Sequence, residues 1–537
     1  MIVSIIGIFP NLKGGKMKKL ALLLLSLLAF WSVANAQTLV FGQSRLPISL
    51  DTATDGNSLT VGYQIVENLV GFKESSAEIE PLLAESWEAS EDAKSWTFHL
   101  RQGVSFTDGT PFNAEAVKFN IDRWNNQDNP YAFAAEGKDF TAWPSIFTNF
   151  YGEEGYIVES VDVVDEYTAQ INLTRPLGYL PQLLAAAYFG MHSPKAVMES
   201  GFEYGGPTKG VVGTGPFVFV EWIDGDRLTL DRNEDYWGEN AKVEKLVFRG
   251  IEEAATRLAE LEAGSIDIAV NLSPDDYEAV SNNADLKVVF PDADLRVGYV
   301  GMHQANKPFD DVRVRQALAY AIDKDAIVEA FYGELGAVAN EFIPPSLIGR
   351  LENDPYPYDP EKAKELLAEA GYADGFDTQF WYMPVSRPYY PNPKDVAEAI
   401  ASMLSEVGIN AELMTEDWGI YLDDYALGKF PIYMLGWSAD FADSDNFISP
   451  FFSRTQGPDG FGWNNAEAFD LIEAAQSAGT VEERTAIYQQ IEQILYDELP
   501  AMPLVNPRSL SATRANIEGF LPNPLGSTVP FRTITKN

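Results

Sequence analysis

The sequence predicts an α/β protein built on mixed sheets and divided over two or three domains. Short strand and helix signals alternate along most of the chain. Its 537 residues are 46% apolar and 12% aromatic against 22% charged, too rich in core-forming side chains for a disordered chain. No repeat period, low-complexity tract or long Pro/Gly/Ser linker separates independent units, so the domains should be interwoven.

Taken in order, Leu39 to Phe41 reads as an opening strand, and Val61 to Val70 as a helix with Ile65, Val66 and Leu69 on one face. Ser95 to Leu100 alternates with period two and ends near the Asp108-Gly109 turn signal. Asn113 to Trp124 turns helical, with Ala116, Val117, Ile121 and Trp124 spaced for one buried face. Two short strands over Val161 to Leu173 flank Asp165-Glu166, and Pro181 to Tyr188 reads as a small-residue helix. Phe217 to Trp222 and Arg227 to Asp231 straddle Asp224-Gly225, a hairpin turn lacking the other ligands of a calcium loop. A helix follows at Ala254 to Glu262, then strands at Ile266 to Val270 and Leu286 to Phe290. Helices are predicted over Val312 to Ile322, Asp325 to Tyr332, Asp395 to Val407 and Val481 to Leu495. Between them, Asp359 caps a helix that has Pro360 in its first turn, Leu366, Leu367 and Ala370 as its stripe, and Gly371 at its end.

The first 36 residues are set aside from the fold. Met17-Lys18-Lys19, the apolar run Leu20 to Trp31 and Ala34-Asn35-Ala36 before Gln37 make a secretory signal peptide, cleaved after Ala36, with Met1 or Met17 as its start. The apolar run is shorter than the roughly 20 residues of a spanning helix. The whole chain has 38 Lys plus Arg against 79 Asp plus Glu, a formal charge of −41. Removing residues 1–36, which carry four Lys and no acid, leaves 34 against 79, or −45. Such a protein is repelled by nucleic-acid phosphates and by anionic lipid. With no Cys it has no disulfide, no thiol nucleophile, no Cys-ligated metal and no lipid attachment site after the signal, so a freely diffusing periplasmic protein is expected.

Catalytic signatures are missing. There is no G-x-S-x-G elbow, no phosphate loop and no H-E-x-x-H pair, and His99, His192 and His303 are scattered. Gly213-Thr-Gly-Pro216 reads as a tight turn rather than a dinucleotide loop. Paired carboxylates for glycoside cleavage find no location among 79 acids. Neither a metal nor another cofactor is expected. Two segments stand out. Gly436-Trp-Ser-Ala-Asp-Phe-Ala-Asp-Ser-Asp-Asn-Phe447 crowds three Asp among three aromatic residues, fails the EF-hand pattern, and suits an organic cation better than calcium. Phe380 to Pro393 holds Arg387 in an aromatic, proline-rich stretch. An Arg in a stiff loop suits bidentate capture of a carboxylate, with an ordinary surface ion pair as the equal alternative on local sequence.

Ordered motifs run through nearly all of the chain after residue 36. They are Leu83-Ala-Glu-Ser-Trp87 through Phe106, Asp108-Gly-Thr-Pro-Phe-Asn-Ala114, Gly213-Thr-Gly-Pro-Phe217, Tyr236-Trp-Gly238, Val312 through Ile327 and Tyr358-Asp-Pro-Glu-Lys-Ala-Lys-Glu-Leu-Leu367. In these the chain resembles the solute-binding proteins of peptide-type ABC importers, family 5, which include dipeptide-, oligopeptide-, nickel- and glutathione-binding members. Met383-Pro-Val-Ser-Arg-Pro-Tyr389 and Gly436-Trp-Ser-Ala-Asp440 resemble the dipeptide-binding branch in particular.

The resemblance implies a periplasmic-binding-protein-like fold, with two α/β lobes plus an extra domain and the ligand shut in the interlobe cleft. Lobe I would combine 37–75, 203–299 and 508–537, the extra domain II would cover 76–202, and lobe III 300–507. It implies a non-enzymatic, monomeric receptor that carries dipeptides or short oligopeptides to an inner-membrane permease. Arg387 would meet the peptide carboxylate and Asp440 its ammonium, with Gly436, Trp437, Ser438 and Tyr389 beside them. Two extended residues span about 7 Å, so with bonds of about 2.8 Å at each end the two charged groups would stand roughly 10 to 13 Å apart, a two-residue ruler. Other solutes remain alternatives. A cello-oligosaccharide would stack on Trp381, Trp418, Trp437 and Trp463, and glutathione, haem or a nickel chelate would make other contacts. A secreted carboxylate hydrolase is the reading from another class.

Overall fold

The computed structural model describes residues 38–537 apart from 292–293, 352 and 527–528. The signal segment expected at 1–36 lies outside the described residues.

Most local signals form where the sequence places them. The Asn113 side chain accepts the Ala116 N–H to open the helix Ala114–Asn125, Asp323 caps Lys324–Phe331, and Asp359 accepts from Lys362 to open Pro360–Glu369. The hairpin Phe217–Ile223 and Arg227–Arg232 turns at Asp224-Gly225, with Gly225 at a φ of 69°.

The helix expected over Val61 to Val70 does not form. Helical backbone ends with Leu59–Gly62, and Val70–Phe72 is a strand paired with Ile79–Pro81. The intervening acceptors are claimed from elsewhere in the chain. The Gln64 and Ile65 carbonyls take the N–H groups of Phe217 and Gly215, and the Glu67 carbonyl takes that of Met191. A Cβ on Gly213 would stand 2.2 Å from the Ile65 carbonyl oxygen, so the Gly213-Thr-Gly-Pro turn packs backbone to backbone where only glycine fits.

Three sheets organise the chain. The largest has seven strands in the order Leu286–Val289, Ser511–Arg514, Ile268–Ala269, Thr38–Gln43, Lys245–Gly250, Arg227–Arg232 and Phe217–Ile223. Thr38–Gln43 runs parallel to both its neighbours while the other pairs are antiparallel, so the sheet is mixed. A six-stranded sheet follows the order Gly336–Val338, Ala501–Pro507, Arg296–Met302, Ile432–Ser438, Phe376–Trp381 and Ile409–Met414, parallel only around Phe376–Trp381. A four-stranded antiparallel sheet joins Ala84–Ala89, Ser95–Leu100, Thr168–Leu173 and Val158–Asp165. The strands Leu286–Val289 and Arg296–Met302 lie in different large sheets, as do Ala501–Pro507 and Ser511–Arg514, and Asp294 ties these two links together by accepting the Ser509 N–H and pairing with Arg296.

Buried charge fastens these bodies. Asp51, beside the seven-stranded sheet, is fully buried against Arg123 from the helix Ala114–Asn125, with Lys138 at 3.3 Å and His192 at 3.7 Å. Burial raises the Asp51 pKa, but the opposing charges of Arg123 and Lys138 overcome it and hold the carboxyl below its ordinary range. His192 is pushed down to about 3 by burial, so it sits there neutral.

Glu492, on the helix Val481–Glu498, is buried and accepts the Ile343 N–H at 2.9 Å. Burial, with a smaller contribution from Glu341, pushes its pKa up to about 8 from an ordinary 4.5. The folded state therefore holds this proton more tightly than the unfolded chain does. The stability it contributes is complete below pH 4.5 and is lost as pH rises through about 8. Glu492→Gln keeps an acceptor for Ile343 and removes the titration. Its thermal midpoint should match wild type at about pH 4 and exceed it at about pH 9, and a constant difference across that window would refute the assignment.

Candidate functional site

The strand Ile432–Ser438 is apolar over Ile432 to Leu435 and lies inside the six-stranded sheet, buried on both faces. It pairs antiparallel with Arg296–Met302 so that Gly436 stands opposite Gly298. The pairing makes a flat patch on which the 383–391 loop rests. A Cβ on Gly436 would meet the Tyr389 ring at 2.3 Å, and one on Gly298 would meet the Tyr390 ring at 3.1 Å. The Tyr332 hydroxyl donates to the Tyr389 carbonyl at 2.8 Å and fixes the loop from its other side.

That loop presents Arg387. Arg387 and Tyr390 exchange main-chain hydrogen bonds at 3.0 and 2.9 Å, closing a tight bridge around Pro388. The guanidinium lies over the Trp418 ring at 4.8 Å. It is half-buried and, among the described residues, makes no ion pair and no side-chain hydrogen bond. The surface-pair alternative for Arg387 therefore has no partner here.

Asp440 follows the strand end. Its N–H donates to Asn446 Oδ1 at 2.9 Å, and the same oxygen accepts the Trp437 indole N–H at 3.1 Å, so one amide braces both residues. Burial raises the Asp440 pKa above its ordinary value, offset by a hydrogen bond from Asn446, and no cation of the described residues pairs with it. Burial first, and the charges of Asp440 and Asp55 after it, push the Tyr188 hydroxyl up to about 12. Trp437 is half-buried and meets Phe451 edge to face at 5.4 Å.

The main chain beside these side chains is open. Ala439 N–H bonds the Leu295 carbonyl and His303 N–H bonds the Pro431 carbonyl, so odd-numbered residues exchange hydrogen bonds with Arg296–Met302. The amide groups of Met434, Gly436 and Ser438 point the other way. On that side Phe376–Trp381 stops at Trp381, and the Tyr421 hydroxyl takes the Met434 carbonyl at 2.8 Å. Among the described residues no hydrogen bond reaches the amide groups of Gly436 or Ser438 from that side, and the buried Ser438 Oγ also lacks a partner.

Tyr389 and Gly436 are thus in contact, Trp437, Ser438 and Asp440 continue from the same strand, and Arg387 and Asp440 form no ion pair with each other. The four Trp proposed as a sugar platform each pack against partners of their own. Trp463 is sealed in the core with its indole N–H on Glu498, Trp381 stacks on Phe430 and Trp418 carries Arg387. Sequence reading named Trp418 only within a sugar platform, and missed both its place beneath Arg387 and the brace from Asn446. Asn446 sits inside the noted Asp-aromatic segment and was within reach, whereas nothing local pairs Trp418 with Arg387. Among the described residues no three His, Cys, Asp or Glu converge as a metal site, and no helix is long and apolar enough to cross a membrane.

A family model described as "Bacterial extracellular solute-binding proteins, family 5 Middle" matches residues 78–459. The dipeptide-binding protein of Escherichia coli (strain K12) is 34% identical, covering 96% of this chain and 98% of that protein. Heme-binding protein A of Haemophilus influenzae is also 34% identical, over 92% and 91%. The crystal structure of a dipeptide binding protein from Pseudoalteromonas in complex with Met-Leu superposes with a TM-score of 0.73 at 28% identity, covering 93% of this chain and all of that one.

Seating Tyr389 on a bare Gly436 is a requirement that substitution tests. Gly436→Ala should keep the overall fold, cost about 1–3 kcal/mol, and speed hydrogen exchange over 383–391 while the helix Val312–Ala321 stays protected. Unchanged exchange in the loop would remove Gly436 as its seat.

Proposed function

Since the chain belongs to the bacterial extracellular solute-binding proteins of family 5, we propose that it is the capturing component of an ABC importer and that its cargo is a dipeptide. The observation that carries this reading is the pair of lone charges. A half-buried carboxylate and a half-buried guanidinium stand on two segments that meet at Gly436, each without a protein counter-ion. Leaving buried charge unpaired is unfavourable unless a ligand supplies the opposite sign. A zwitterion with one ammonium and one carboxylate supplies both.

In this reading Asp440 takes the ammonium and Arg387, levelled on Trp418, takes the carboxylate through two N–H groups. The open amide groups of Gly436 and Ser438 pair with the peptide main chain as an added strand would. Such bonding ignores side chains, which gives tolerance of sequence. Length is selected because a third residue separates one charge from its partner. The protein works by enclosing the ligand between lobes and handing it to the permease, with no bond made or broken. We place it in the periplasm as a monomer after removal of residues 1–36, with lobes at 37–75, 203–299 and 508–537 and at 300–507, and the extra domain at 76–202. Haem is the second reading, favoured by the haem-binding relative at equal identity.

Titration calorimetry with di-, tri- and tetrapeptides should give tight binding of dipeptides, weaker binding of tripeptides and none of tetrapeptides. Asp440→Asn and Arg387→Ala should each weaken dipeptides by about 100-fold or more, since each leaves one desolvated charge unpaired. Retained affinity in both variants would sink the ruler, and a haem absorbance change at stoichiometric haem without peptide binding would install the second reading.

The raised pKa of Asp440 has a definite sign in this scheme. An ammonium at its side favours the ionised form, so the bound pKa lies below the free one and binding releases a proton between them. Affinity should fall as pH drops through the free value, and the fall should vanish in Asp440→Asn. Proton release is read from the dependence of binding heat on buffer ionisation enthalpy.

A further inference from the structure

Three residues after Asp440 the chain enters a buried polar cluster that the peptide reading does not use. Arg484 donates to both oxygens of Asp443 at 2.5 and 2.7 Å and to the Tyr488 hydroxyl at 3.1 Å. The Tyr488 hydroxyl reaches Asp445 at 3.3 Å, and Gln476 donates to Asp445 and Ser449. All these groups lie in the body of the six-stranded sheet. One donor comes from outside it. Tyr179, 4% exposed, gives its hydroxyl proton to Asp445 Oδ2 at 2.7 Å, lies under the Arg484 guanidinium at 4.6 Å, and stacks on Phe441 at 6.1 Å and 17°.

Tyr179 belongs to the body of the four-stranded sheet. Leu177 beside it bonds Ala93 through its N–H and the Trp96 indole through its carbonyl. The residue between them brings the two bodies into backbone contact. Gly178 donates to the Gln476 carbonyl at 2.9 Å, and a Cβ there would fall 1.8 Å from the Ala478 carbonyl oxygen. The contact brackets the ammonium site. Phe441 adjoins Asp440, and Asp445 adjoins Asn446, whose Oδ1 holds the Asp440 N–H.

We propose that Gly178-Tyr179 is a latch between the two bodies and that Tyr179 is a positioning residue for the ligand, closing onto segment 440–446 so that enclosure and the placement of Asp440 rise and fall together. The assignment of a ligand to Asp440 rests on the function proposed above; the latch between the bodies does not. Tyr179 touches no ligand atom in this scheme. It sets how long the closed form lasts, because opening strips Asp445 of a donor and Arg484 of the nearer of its two rings.

Because the chain has no Cys, spin labels at Glu91→Cys and Ser402→Cys, one on each body, report closure directly. In Tyr179→Phe the dipeptide dissociation rate should rise about tenfold, the worth of a lost hydrogen bond to a carboxylate. The association rate should stay at the wild-type value and the saturated label-distance distribution should gain a longer component. Gly178→Ala, whose added methyl meets the Ala478 carbonyl, should keep the long distance even at saturation. Wild-type dissociation and wild-type distances in both variants would overturn the latch, as would a parallel loss of thermal stability with unchanged distances. If no dipeptide binds the wild type, the function proposed above fails, and ligand-free distances decide the latch alone. A longer distance in Tyr179→Phe supports it and an identical one overturns it.

Discussion

The site depends on one close approach, the Tyr389 ring lying where any side chain at residue 436 would be. Gly436 and Gly298 face each other across the two central strands, and the bare patch they form lets a proline-rich loop lie flat against a sheet. From that contact the rest follows by short steps. Tyr389 fixes the loop, the Arg387 bridge to Tyr390 fixes the turn, Trp418 levels the guanidinium, and the strand delivers Asp440 a few residues beyond. Among the described residues Arg387 forms no ion pair with Asp440 or any other acid.

The acids show how a strongly negative chain spends burial. Asp51 and Asp443 are buried with Arg123 and Arg484 and serve as fasteners, one between the seven-stranded sheet and the helix Ala114–Asn125, the other beside Tyr179. Glu67 is buried with three neutral donors, from Thr214, Tyr236 and Trp237. Each satisfies the rule that buried polar groups find partners. Asp440 is desolvated with an amide brace and no cation, unlike Asp51 and Asp443, which each meet an Arg.

Legibility in the sequence followed the range of the interaction. Helices opened by Asn113, Asp323 and Asp359, and the Asp224-Gly225 hairpin, were readable because caps and turns act over a few residues. The Val61 to Val70 helix was misread because its acceptors bond residues near 191 and 215, which no local pattern announces. At the site, the Asp-aromatic and Arg-proline segments were visible as unusual compositions. Their adjacency was not, since it rests on strand order and on which glycines align. The place of Trp418 beneath Arg387 was invisible for the same reason, since packing brings the helix Trp418–Ala426 to the loop.

By itself the sequence determined the chemistry available. It set an acidic chain without Cys, with scattered His, alternating helix and strand signals, and two segments rich in charge and aromatic rings, because composition and short-range periodicity are properties of neighbouring residues. The tertiary structure decided which charges meet and which stay apart. Arg123 neutralises Asp51 and Arg484 neutralises Asp443, while Arg387 and Asp440 are left single, and that difference turns on contacts between residues tens to hundreds of positions apart. Only packing sets such contacts, since a folded interior fixes distances that the order of residues along a chain leaves open.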